Sequence, residues 1–324
     1  MKTMPRVRSR RQRGAALLTA MIIVALVATL ASAMVWQQWR AVQVEAAERA
    51  RAQSAWILTG ARDYAGLILR EDSKSQTGGK LTALTEPWAL PLKEARLSTF
   101  LAVDKANTDD GPDAFLSGYI NDAQARFNLR SLVPNPGANP DPAALAALGA
   151  MQRLCESLGL GPGIAGRIAS GLAAAIAGTA SAPLEPKTVA QLTWLGIDRD
   201  SVTKLQPFVV LIPGIVTPVN VNTASKEVLA AVANIDPGSA ERLVQIRQRG
   251  PFKSPADFLA KAQIPPNPNL PPLNIAVVSS YFEVSGSLRL TDHVLTESSL
   301  VQRANGILTP LQRERISALE QTGR

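Results

Sequence analysis

The chain has 324 residues, about two domains' worth at ~150 residues each, and is 46% apolar, 19% charged and 5% aromatic, with one His and one Cys. A lone Cys155 excludes an intramolecular disulfide, a multi-cysteine zinc cluster and a CxxC redox pair, and a lone His293 excludes two-His metal sites; no catalytic site is expected, and the chain reads as a non-enzyme. The net charge of +8 lies mostly at one end: Lys2, Arg6, Arg8, Arg10, Arg11 and Arg13 occur with no acid among residues 1–14, which leaves the body nearly neutral and removes a chain-wide nucleic-acid footprint.

From Gly14 to Trp39 there are 26 residues without a charge, and Ala15 to Trp36 is apolar apart from Thr19, Thr29 and Ser32. As a helix, residues 15–36 span about 33 Å at ~1.5 Å per residue, enough for a bilayer core. The basic leader stays cytoplasmic by the positive-inside rule, so the rest of the chain lies across the membrane. Two readings of this segment use its composition alone. One is a secretory signal ending near Ala31-Ser32-Ala33, for which the apolar stretch is long; the other is an uncleaved anchor, which gives Gly14 no role. No proline lies between Pro5 and Pro87 and no glycine between Gly14 and Gly60, so the helix is expected to continue well past the bilayer. Trp39, Val42, Ala46 and Ala50, then Ile57, Ala61, Tyr64 and Ile68, recur at spacings of three and four and predict an amphipathic face.

Polar SKSQTGGK at 73–80 closes the helical pattern. Pro-dense PNPGANPDP at 134–142 and PPNPNLPP at 265–272 bracket Ala-rich helical runs, PAALAALGAMQRLCESLGL and IAGRIASGLAAAIAG. Outside the brackets the texture is strand-like, in FLSGYIN, SSYFEVSGSLRL and SLVQRANGILT. The expected fold is α+β: a helix at 15–72 after the leader 1–14, an α/β domain from 73–135 and 273–324, and an inserted all-helical domain at 136–272. Trp88 is expected to be a core or seam anchor, and Asp122 and Arg126 a local salt bridge.

RQRGAALLTAMIIVALVATLASAM resembles the class III signal of type IV pilins and type II secretion pseudopilins, which implies cleavage by a prepilin peptidase between Gly14 and Ala15 and methylation of Ala15. Most pilin-like subunits carry a glutamate five residues after the cut, paired with the N-terminal amine of a neighbouring subunit; this chain has Thr19. A subunit with nothing above it has no amine to neutralise, so Thr19 implies a place at the filament tip. EPWALPL at 86–92, GYINDAQARFNL at 118–129, and YFEV at 281–284 followed by Arg303, in that order with a large helical insertion, are similar to the minor pseudopilin K family of type II secretion systems. That resemblance implies a pilin-like α/β domain, a periplasmic location on a single inner-membrane helix, and a filament tip shared with minor pseudopilins I and J. Other partners it implies are the remaining pseudopilins, the prepilin peptidase and the inner-membrane secretion platform. A minor pilin of a type IV pilus remains an alternative.

Within the insertion, VNVNTAS at 219–225 and the following AAVANIDPGSAERLVQIRQRGPFKSPADFL resemble a helix-hairpin-helix unit of the kind found in competence DNA receptors, the alternative from another functional class. Thr223 or Ser225 is expected to cap the first helix, and Pro237-Gly238 to form the turn. Asp236 stands where a phosphate would approach and Pro237 lacks a donor, while residues 219–264 carry six basic and four acidic groups, so no nucleic-acid partner is expected. Asp104, Asp109, Asp110 and Asp113 surround a Gly111-Pro112 turn. Such loops can hold calcium, as K-family members can, without a residue-by-residue assignment of the family's ligands to this chain; a solvated acidic turn is an equal reading, and no other cofactor is expected.

Overall fold

The computed structural model describes residues 13–74, 81–97, 114–135, 141–178, 182–265, 274–290 and 293–319. Proline-free sequence, with no glycine between Gly14 and Gly60, runs as one helix, α1 (Arg13–Lys74). Its stretch from Ala15 onward has a mean hydropathy of 2.4 over its most apolar window and is long enough to cross a membrane. Leu17, Ile22, Leu26, Leu30 and Val35 are all more than half exposed, as lipid-facing residues of a single anchor must be.

Residues 58–319 build a five-stranded antiparallel sheet and a helical region inserted into it. The strands are β1 (Leu92–Arg96), β2 (Ala114–Asp122), β7 (Tyr281–Leu290), β8 (His293–Ala304) and β9 (Ile307–Leu319), hydrogen-bonded in that order. β2 and β7 are neighbours although more than 150 residues separate them, and the chain between them forms the insertion. Asn305 and Gly306 both adopt positive φ, 52° and 73°, which is the left-handed pair that a two-residue hairpin needs to match strand twist. SLVQRANGILT is therefore two strands and a turn instead of one run. β9 leaves its outer edge open but carries Pro310 at a register irregularity and the charged run Arg313-Glu314-Arg315, features that discourage strand addition.

One sheet face packs on α1. Ala65 and Leu69 of the helix meet Ile120, Phe282, Val284, Val301 and Trp88, and Gly286 lets the helix approach so closely that an added Cβ would lie 3.3 Å from Leu58. The buried helical stripe runs through Leu58, Ala65, Leu69 and Asp72, whereas Tyr64, expected on it, is 48% exposed. Spacings of three and four fit two adjacent stripes of this helix, and packing selects the one that sets Leu58 against Gly286 of the sheet. Trp88, 1% exposed, lies edge-on to Phe282 at 5.4 Å and donates its indole N–H to Glu86 Oε2 at 2.7 Å, as befits a core anchor.

The insertion contains α2 (Pro142–Ser157), α3 (Ile164–Ala177), α4 (Arg199–Leu205), α5 (Lys226–Ala233), α6 (Pro237–Arg249) and α7 (Pro255–Ala262). Two short parallel pairs tie it down: β3 (Phe127–Asn128) on β4 (Val209–Val210), and β5 (Val219–Asn220) on β6 (Ile275–Ala276). Its core, around Met151, Ile168, Leu192, Phe252 and Phe258, also takes in Phe127, Leu129 and Leu132. Cys155 belongs to this core, where burial pushes its thiol up to about 11. A small cluster of Ala123, Val210, Ile212, Tyr281 and Leu300 seats the insertion on the sheet face opposite α1.

Candidate functional site

Two places bring together the residues that the sequence singles out: the start of α1 and the joint between sheet and insertion. Gly14 and Ala15 lie in the first turn of α1. One turn on, the Thr19 hydroxyl donates to the Ala15 carbonyl at 2.8 Å and approaches that of Ala16 at 3.1 Å. Thr29 bonds Leu26 O in the same way. A threonine in an apolar helix thus satisfies itself within the backbone, where a glutamate would need a cation from outside.

At the joint, Asp122 is the 4%-exposed end of β2. Its Oδ1 accepts from the Gln124 amide at 2.8 Å; its Oδ2 accepts from Asn220 Nδ2 at 2.9 Å and from the hydroxyls of Thr223 and Ser279, each at 2.6 Å. Asn220 Nδ2 also reaches Thr82 O, and Arg303 bridges Thr82 and Ser279 to Asp72 of α1, a pair whose side chains are 6% and 4% exposed. One connected polar cluster therefore ties α1, the loop after it, the sheet and the insertion together. The expected Asp122–Arg126 bridge does not form: Asp122 turns inward to four neutral donors, and Arg126 pairs with Glu283 of β7 at 2.6 Å. Burial lifts the Asp122 carboxyl above its ordinary range, and its hydrogen bonds pull the other way. Sequence reasoning missed Asn220, Ser279 and Thr82, whose only signal was polarity within apolar surroundings.

The hairpin between α5 and α6 is also settled by hydrogen bonds. Ser225 caps α5 through the Val228 amide, while Thr223 is spent on Asp122. Asn234, at φ 54°, ends α5, and Pro237 is the first residue of α6, so Pro237-Gly238 starts a helix instead of forming the turn. Asp236 Oδ1 accepts the Ser239 amide at 2.9 Å, so a carboxylate already occupies the end of α6 where a phosphate would sit. Arg247 is buried and donates to Val221 O and Ala224 O; desolvation brings its guanidinium down to about 10, and it stays charged at neutral pH. Among the described residues no group of three His, Cys, Asp or Glu could hold a metal; Asp104, Asp109, Asp110 and Asp113 lie outside them.

Helix caps set an acid sensitivity. Backbone and side-chain hydrogen bonds hold Asp141 (from Asn135), Asp198 (from Ser201) and Asp236 (from Ser239) below the usual carboxylate value of 3.8. Folding lowers these values, so their stabilisation is present above the unfolded value and is lost as pH falls through the folded ones. Asp122 and Glu86, raised chiefly by burial, act in the opposite sense, favouring the fold at low pH and losing that contribution as pH rises. The three caps each start a helix of the insertion, so the helical signal reports them. Thermal melts of helical circular dichroism should therefore show a falling midpoint as pH drops below about 3.8; a midpoint that rises instead would show the caps to be inert.

A family model described as type II secretion system (T2SS), protein K, matches residues 219–277, the segment that supplies Asn220 and Thr223 to the joint. The type II secretion system protein K of Pseudomonas aeruginosa is 30% identical over 91% of this chain and 90% of its own length. That of Pectobacterium carotovorum subsp. carotovorum is 26% identical over 94% of this chain and 96% of its own. Among solved structures, the GspK-GspI-GspJ complex from the enterotoxigenic Escherichia coli type 2 secretion system contains a chain with the same fold. Its TM-score is 0.60 at 19% identity, and the match covers 84% of this chain and 99% of that one.

Proposed function

The chain belongs to the type II secretion system protein K family, and from that premise we propose that it is the minor pseudopilin at the tip of the pseudopilus, capping and initiating the filament that exports folded proteins across the outer membrane. The prepilin peptidase cuts between Gly14 and Ala15 and methylates Ala15, and α1 anchors the subunit in the inner membrane with the sheet and insertion in the periplasm. Its partners are the minor pseudopilins I and J, the other pseudopilins and the secretion platform. Its work is assembly, without catalysis.

The observation that carries the tip position is Thr19. Its hydroxyl is satisfied by Ala15 and Ala16 of its own helix, so the subunit has no membrane-buried acid awaiting an amine from a subunit above. The insertion supports the same place, because its bulk on the sheet would obstruct further stacking. Capping of α6 by Asp236 favours a packing role for the hairpin over phosphate binding.

Mass spectrometry of the membrane-extracted N-terminus, with and without the prepilin peptidase, tests the reading. The expected result is a peptidase-dependent chain that starts at N-methylated Ala15. An intact Met1 would instead make it an anchored receptor, and a start at Met34 a secreted protein; either overturns the proposal.

A further inference from the structure

The uncharged run of α1 ends in an abrupt change of side-chain type. Residues 15–36 span about 33 Å at ~1.5 Å per residue, against a hydrocarbon core of about 30 Å, so with Ala15 at one boundary of the core Trp36 falls at the other. The next four residues rise about 6 Å further, through the headgroups. Trp36, Gln37, Gln38, Trp39 and Arg40 occupy that stretch, all of them exposed, the two indoles by 61% and 60%. The charges beyond are paired within the helix: Arg49 meets Glu45 at 2.7 Å and Arg51 meets Glu48 at 3.5 Å. Among the described residues Arg40 has no such carboxylate, and its guanidinium lies 5.8 Å from the centroid of the Trp36 ring. Helical side chains lean toward the N-terminus, here the membrane end, so ring and tilt together aim this cation back at the headgroups.

We propose that residues 36–40 form a collar that seats α1 in the headgroup layer of the leaflet by which it leaves the membrane, with Arg40 bound to a phospholipid phosphate. An indole suits that layer because its ring meets acyl chain while its N–H meets water and ester oxygens. A guanidinium takes phosphate oxygens in its fork, and no carboxylate of the chain competes for it. Lipid is the occupant because five consecutive residues go once round the helix, as a surrounding headgroup layer requires, whereas a neighbouring helix would read positions three and four apart along one stripe. The inference rests on α1 as a membrane anchor and adds what fixes its depth. Ala41, Val42 and Val44 continue the apolar sequence to Glu45, so without the collar the helix is free to sink by about one turn.

The test uses the full chain in vesicles of phosphatidylethanolamine and phosphatidylglycerol, brominated either near the ester end or near the methyl end of the acyl chains. Subtracting the tryptophan emission of a Trp36→Phe/Trp39→Phe chain isolates the two indoles. They should be quenched more by ester-end bromine; stronger quenching from the methyl end, or none from either, overturns the collar. Depth is read with a membrane-impermeant maleimide on single cysteines placed in turn from Met34 to Ala46, Cys155 being buried. Labelling should begin just after Arg40, and about one turn later, near Glu45, in a Trp36→Leu/Trp39→Leu/Arg40→Leu chain. An unmoved onset shows that the collar does not set the depth. Arg40→Lys should keep the parent onset and Arg40→Glu should shift it toward Trp36; equal onsets for these two variants overturn the phosphate contact. An onset after Arg40 that appears only when other pilin-like subunits share the vesicle assigns the face to a neighbour and overturns the lipid. Quenching and labelling are blind to N-terminal processing, so an intact Met1 in cells beside ester-end quenching refutes the filament role and supports the collar.

Discussion

Replacing Asp122 with leucine should destabilise the fold of sheet and insertion by about 3 kcal/mol or more, because it strips one acceptor from four donors that have been brought out of water to meet it. Asp122→Asn is the sharper variant. Its oxygen can keep the Gln124 amide, but its NH2 would face Asn220, Thr223 and Ser279, which already donate, so it too should lose most of the joint. Urea unfolding of the full chain in detergent reads the loss. Limited proteolysis should then show earlier cleavage where the chain crosses between sheet and insertion, near residues 123–127 and 277–281. An Asp122→Asn chain as stable as the parent would mean that the carboxyl is protonated in the fold and that the hydroxyls are acting as acceptors.

Trp88→Ala should cost about 3–5 kcal/mol, the usual range for emptying a buried aromatic site. The residue is 1% exposed against Phe282 and the α1 stripe, so the cavity cannot close without moving helix or sheet. Trp88→Phe separates packing from hydrogen bonding. It keeps most of the apolar contact but leaves Glu86 Oε2 with the Ala83 amide alone, beside an Oε1 that already lacks a partner. An intermediate loss for phenylalanine is expected in thermal unfolding, whereas a loss equal to alanine's would make the Glu86 bond the dominant contribution.

Much of this was legible in the chain itself. The uncharged run from Gly14 to Trp39, and the absence of glycine to position 60, gave α1 its existence and length, because hydropathy and backbone freedom act residue by residue. The Ala-rich runs became α2 and α3 as expected. The rotation of α1 against the sheet was not legible: Tyr64 falls on a stripe of the same spacing as that of Leu58 and Leu69, and the close approach of Leu58 to Gly286 is a contact that only the fold makes. The Asn305-Gly306 hairpin did carry a local signal, masked by apolar residues running on through both strands. Asp236 and Pro237 were seen for what they deny a phosphate, yet the helix start they specify was read as a turn, since proline at a first helical position looks like one until the cap is seen.

The sequence by itself determined the membrane helix, the order of strand and helical regions, and the resemblance that the relatives then made a family membership. Those features rest on composition, periodicity and chain order, which neighbouring residues express together. Only the tertiary structure decided the partners of the buried polar groups. Asp122 meets Asn220, Thr223 and Ser279 across 98, 101 and 157 residues, while Arg126, four residues away and of the right charge, goes to Glu283. A buried carboxylate takes whatever donors the fold delivers to it, and no local spacing records a contact that forms only when the insertion closes onto the sheet.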